Sequence, residues 1–160
     1  MNTFNVVPLI VQRALRDNQP TIVFDWLIDQ SNLTLAYGMW KKPMDAIEAL
    51  TRALKKVIPE KRAPYRWYRG LLYIQAQLPA LAEQDFTAVI ATYAEHRHTS
   101  MLARAYARVL LGEVRGALED NDRLPEGTVL ILDRVITPQW IGNSCNAAWE
   151  RNAHRHASAA

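Results

Sequence analysis

Apolar positions recur on a helical spacing in several stretches of the chain. From Val6 to Leu15 they keep to one side, Arg13, Arg16 and Asp17 lie beyond them, and Asn18 to Pro20 stop the pattern, which predicts a short first helix. In "KPMDAIEALTRALKKVIP", residues 42–59, the residues Ile47, Leu50, Leu54 and Val57 form one stripe, Glu48 and Arg52 pair at i,i+4, and Pro43 and Pro59 bracket the run. A second helix is predicted there. "TSMLARAYARVLLG", residues 99–112, predicts a third, with Thr99 or Ser100 as its cap and Gly112 as its stop.

Elsewhere the pattern points to strands or leaves the choice open. "TIVFDWLI", 21–28, mixes β-branched and aromatic residues and fits either a strand or a helix. After Pro64 the aromatic and aliphatic residues of "RAPYRWYRGLLYIQ", 62–75, favour a strand. "PALAEQDFTAVIATYAEH", 79–96, starts as a helix could, yet Phe86 to Tyr93 would also serve as a strand. A Pro-Glu-Gly turn precedes the short apolar run Val129 to Leu132, a buried strand, and the small polar tail from Asn152 is expected to fray. With no βαβ alternation and no repeat of 20 to 50 residues read along the chain, the expected fold is α+β in one domain. Helices occupy 1–60, a small mixed and mainly antiparallel β core 62–152, and a flexible tail 153–160.

Composition narrows the class. The chain has 160 residues, 49% hydrophobic and 22% charged, which is enough for a core and typical of folded proteins in water. No apolar run approaches the roughly 20 residues of a membrane span. The opening lacks a basic start and a long apolar stretch, so it does not read as a secretory signal, and the single cysteine, Cys145, excludes an internal disulfide. A cytoplasmic protein with no membrane partner is expected. The net charge of +3 is spread along the chain. The one local cluster, Lys55, Lys56, Lys61, Arg62 and Arg66, reads as a solvated face, with a phosphate-tracking patch as the alternative.

Candidate chemistry centres on Arg69. In strand geometry it shares a face with Trp67, Leu71 and Tyr73, so in a half-buried sheet its guanidinium needs a partner such as a ligand's phosphate or carboxylate; the other reading is a strand arginine whose stem packs and whose head reaches solvent or pairs with a protein carboxylate. Gly70 beside it would admit a ligand or another backbone. The four histidines come as two His-Arg-His pairs, His96 with His98 and His154 with His156. Neither pair has conventional metal-ligand spacing to a further donor, so no metal site is expected.

"PYRWYRGL", "HRHTSMLARAYA", "GTVLIL" and "TPQWIGNSCNAAWERN", in that order, resemble the successive motifs of the mono-ADP-ribosyltransferases of the arginine–serine–glutamate class, as found in bacterial toxins and phage enzymes. The resemblance covers roughly residues 62–152 and implies NAD as substrate. It also implies a host protein or nucleoprotein as target, in the host cytoplasm if the gene is phage-borne. It implies that Arg69 holds the pyrophosphate of NAD with Gly70 beside it, that Ser100, preceded in the motif by the cofactor-binding candidate Thr99, orients Glu150 or the ribose, that Tyr73 or Trp67 stacks on nicotinamide, and that Glu150 is the catalytic carboxylate. That role follows from the oxocarbenium-like cation that develops when the glycosidic bond breaks. Ala148 and Asn152 flank Glu150 at two places, so one glutamate of the family's pair is missing, which bears on arginine as the target. The alternative expectation is a non-catalytic binding protein that blocks a host complex by surface contact.

Overall fold

A computed structural model describes residues 7–29, 42–131 and 134–158, and where the β core was expected it has helices. The order is α1 (Leu9–Arg16), α2 (Pro20–Asp29), α3 (Pro43–Leu54), α4 (Arg62–Gln75), α5 (Pro79–Thr92), α6 (Arg97–Leu111), α7 (Val114–Asn121), β1 (Val129–Ile131), β2 (Arg134–Ile136) and α8 (Pro138–Ser158). Single 3-10 turns, Pro59–Lys61 and Ala94–His96, lead into α4 and α6. The fold is therefore all-helical, not α+β. Among the described residues the only β structure is one antiparallel pair of three-residue strands, with Val129 opposite Ile136 and Ile131 opposite Arg134.

Most helix signals in the sequence hold. Proline opens α2, α3 and α5, where a missing N–H costs nothing. Gly112, at φ +75°, ends α6 as expected, but that helix starts at Arg97, so Thr99 and Ser100 lie inside it and not at its cap. The open stretch 21–28 is helical within α2, and Phe86 to Thr92 continue α5. The tail expected to fray instead belongs to α8, which runs 21 residues to Ser158. Val6 and Leu132, named as limits of a helix and a strand, lie outside the described residues.

The main correction is α4. Tyr65, Tyr68 and Leu72 form one stripe buried in a cluster with α1, α2 and α3, while Leu71 and Ile74 form another, buried with α5, α6 and the β hairpin. The two stripes adjoin on one broad face, and Arg62, Arg66 and Arg69 keep the rest of the helix polar, so the helical period is present over 62–75; the aromatic content, which suits a strand, masked it.

The structure also overturns the absence of a repeat. Helices α4 and α5 form an antiparallel hairpin, and α6 and α7 form it again 35 positions later. The 3-10 turns Pro59–Lys61 and Ala94–His96 are 35 apart, and so are the helix starts Arg62 and Arg97. The turns between the paired helices match as well. Gln77 and Gly112 both take positive φ, +60° and +75°. In each the next amide closes the same ring, Leu78 N to Tyr73 O at 2.8 Å and Glu113 N to Arg108 O at 2.9 Å. Gly70, Tyr73, Ala82 and Phe86 pack this first hairpin, and Ala105, Arg108, Ala117 and Asn121 stand at the equivalent places of the second; hairpins repeated in this way stack side by side because one cannot bury its own apolar face.

Gly70 explains itself in this frame. A Cβ on it would lie 2.5 Å from Cε1 of Phe86, whose ring is wholly buried and packs against Trp67 at 5.3 Å between centroids. The equivalent pair in the next hairpin, Ala105 and Asn121, has a methyl where Gly70 has none and a smaller side chain in place of the ring. We expect Gly70→Ala to destabilise the fold by about 1–3 kcal/mol through overpacking, although glycine costs about 1 kcal/mol in a helix interior. Urea unfolding measures it, and a stabilised variant would contradict this packing.

Tyr65 ties α4 to α2: its buried hydroxyl lies 2.7 Å from Asp25 Oδ1 and 3.2 Å from the Thr21 carbonyl. Burial first, and the hydrogen bond to Asp25 second, push its pKa well above the usual tyrosine value. The native state thus keeps a proton that the unfolded chain releases above about pH 10, so this contribution is complete below that pH and is lost as pH rises beyond it. Tyr65→Phe should make the alkaline fall in stability shallower, as read from melting temperatures between pH 8 and 11.

Candidate binding groove

The guanidinium expected to hold NAD phosphates is engaged within the protein. Arg69 donates from Nε and Nη2 to the two carboxylate oxygens of Asp85 on α5, both at 2.7 Å, and from Nη1 to Thr51 Oγ1 on α3 at 3.1 Å. The Asp85 side chain is 6% exposed. Tyr73 lies beneath the guanidinium, 5.6 Å from ring centroid to Cζ. The hydrogen bonds to Asp85 raise the pKa of Arg69 still further, so the charge is permanent.

The same clamp is built 35 positions later. Arg104 donates from Nε and Nη2 to Asp120 on α7 at 2.8 and 2.6 Å, and from Nη1 to Thr87 on α5 at 3.1 Å. Each arginine thus bolts its helix to the helix before it and the helix after it. Arg108, which replaces Tyr73 in the repeat, adds a third donor to Asp120 at 3.0 Å and reaches Glu83 at 2.7 Å.

The other sequence candidates are not gathered round Arg69. Gly70 is closed off by Phe86. Ser100 is fully buried, and its Oγ has no partner among the described residues. Glu150 is exposed on α8, which packs on α6 and α7, whereas α4 packs mainly on α3 and α5. Cys145 is buried, which raises its thiol pKa.

Thr99 and Trp67 do meet, in a cavity of about 330 Å³ at the start of α4 and α6. Ala63, Pro64, Trp67 and Tyr68 of α4 form one wall, and Thr99 of α6 with His96 forms the other. Val89 and Tyr93 from the end of α5 lie between them, and Ile28 of α2 closes one end. Pro64 and Thr99 are 35 positions apart, so the groove lies between equivalent positions of successive hairpins. Tyr93 and the exposed His96 stack at 4.8 Å between ring centroids. A larger cleft of about 690 Å³, where exposed Trp149 of α8 faces Gly112 and Val114, does not include Glu150 in its lining.

Of these groove residues, Ile28, Val89 and Tyr93 were not singled out by the sequence, and His96 drew notice only as one of the His-Arg-His pairs. The signal that could have found them was the paired spacing of Arg69 with Asp85 and of Arg104 with Asp120, 16 positions each. No known family model, curated protein or solved structure matches the chain.

A pair this buried is costly to break from one side. Asp85→Ala should destabilise by about 3–5 kcal/mol because it strands the Arg69 charge, whereas the double change Arg69→Met with Asp85→Leu should recover most of that loss. Chemical denaturation of the three proteins measures this. A double variant no better than the single would show that the geometry of the clamp, not the stranded charge, carries the effect.

Proposed function

We propose that the chain is a non-catalytic binding protein that docks a segment of a partner protein in the groove between its two helical hairpins. The observation that carries this reading is the position of the groove. Stacked hairpins expose a continuous face between their equivalent helices, and such faces are the usual binding surfaces of helical repeats. Its walls are aromatic and aliphatic with a few polar groups at the edge, the composition of binding pockets and interface cores. Blocking a host protein or nucleoprotein complex by such contact is compatible with this chemistry.

Transfer of ADP-ribose from NAD draws no support from the geometry. The arginine that should meet the phosphates is spent on Asp85, and its duplication at Arg104 marks it as a structural bolt of the repeat. Glu150 is exposed on α8, which packs on α6 and α7.

Two measurements test the proposal. NAD at millimolar concentration should leave the melting temperature unchanged. A ligand at 100 times its Kd would add about 2.7 kcal/mol, or roughly 5–10 °C for a chain of this size. A photo-crosslinking amino acid placed at His96 should capture a partner in cells, whereas the same residue at exposed Glu119 on α7 should not, and Tyr93→Ala should abolish the His96 adduct. An NAD-dependent rise in melting temperature, or equal capture at both positions, would overturn the reading.

A further inference from the structure

A second cavity of about 290 Å³ adjoins the groove, with Ile28 and Pro64 lining both. That cavity is lined by Asp25, Asp29, Tyr65 and Lys61 as well. In a chain of net charge +3, the two linings together carry two carboxylates, Asp25 and Asp29, against one lysine, with His96 in the lining of the groove alone. None of Arg62, Arg66 and Arg97 is part of either lining.

The two carboxylates are placed against the interests of their own helix. Asp25 and Asp29 stand at i,i+4, where like charges repel. They also occupy the C-terminal half of α2, where the carbonyl ends already present negative potential, and no basic residue lies in the last turn. Relief within the described residues is partial. Lys61 approaches Asp25 only to 3.9 Å and its side chain is 59% exposed. Tyr65 donates to Asp25 through a hydroxyl that burial keeps protonated. Asp29 is exposed at the helix end. A cation entering beside Pro64 would meet two carboxylates and the face of a helix C-terminus while its neighbour lay among Trp67, Tyr68 and Tyr93.

We infer that the occupant of the groove is an extended partner segment that places an aromatic or aliphatic side chain in the Trp67–Tyr93 cavity and an adjacent arginine or lysine in the Asp25–Asp29 cavity. This rests on the binding-protein reading above and adds the partner's chemistry to it. Guanidinium suits the second cavity best, since it can donate to both carboxylates at once. Lys61 then acts as the competitor that an incoming cation must displace.

The test is selection of random octapeptides displayed on phage against the full chain, followed by synthesis of the enriched peptides with a fluorescent label and measurement by anisotropy. Enriched peptides should carry an aromatic or aliphatic residue next to arginine or lysine. Asp29→Asn should weaken them about five- to tenfold at low salt, Lys61→Ala should tighten them, and replacing their basic residue by glutamine should abolish the difference between wild type and Asp29→Asn. Tyr93→Ala should weaken all of them. These variants lie outside the buried core, and their melting temperatures check that folding is kept. Peptides that depend on Tyr93 but lack a basic residue, or bind wild type and Asp29→Asn equally, would overturn the inference and leave the groove standing. Failure to enrich any peptide dependent on Tyr93 would remove the groove as a binding site and the inference with it.

Discussion

The two arginine–aspartate clamps set the geometry on which the rest of the structure depends. A carboxylate almost wholly removed from water, such as Asp85 or Asp120, survives only when its lone pairs are filled, and a guanidinium fork fills two of them at once. The third donor of each fork goes to a threonine on the preceding helix, so every clamp spans three helices. Apolar packing alone would let hairpins slide along one another, because greasy contacts have little directional preference. A bidentate pair does not, and it fixes the register in which α4 meets α5 and α6 meets α7.

The groove follows from that register. With α4 and α6 both packed on α5, the space near its C-terminal end is lined by whatever stands at their first turns: Pro64 and Trp67 from one, Thr99 from the other. The site is thus a by-product of the scaffold's regularity, specialised by a few side chains. The acidic end supplied by α2 is the least regular part, since α1 and α2 share the same closing turn, Gln19 N to Ala14 O at 2.8 Å, but not the clamp.

How much of this could be read from the chain divides along physical lines. Helices with one buried face were legible: α1 and α3 follow their stripes, and Gly112 marks the end of α6 because only a left-handed residue closes that turn. Helix α4 was misread although Arg62, Arg66 and Arg69 recur on a helical spacing, because its aromatic composition outweighed that period. That error carried the fold class with it, since Arg69 on a strand and Arg69 on a helix face different neighbours. The groove was half visible: Trp67, Thr99 and His96 drew notice for other reasons, while Tyr93 sits at a junction between helices that no local pattern announces. The repeat was written in the polar residues, Arg69 with Asp85 and Arg104 with Asp120, where a search for hydrophobic periodicity does not look.

The burial of α4 in two clusters has a kinetic meaning. Stacked hairpins touch mainly their neighbours along the chain, so folding needs few distant encounters and can begin in more than one place. Such arrays often come apart piecemeal, end by end. Here the two hydrophobic clusters lean on adjoining stripes of a single helix, Tyr65 and Leu72 on one and Leu71 and Ile74 on the other. Loss of either cluster bares one stripe of α4 to water and undermines the other, so amide protons in both clusters should exchange with solvent through one shared opening and not in separate steps.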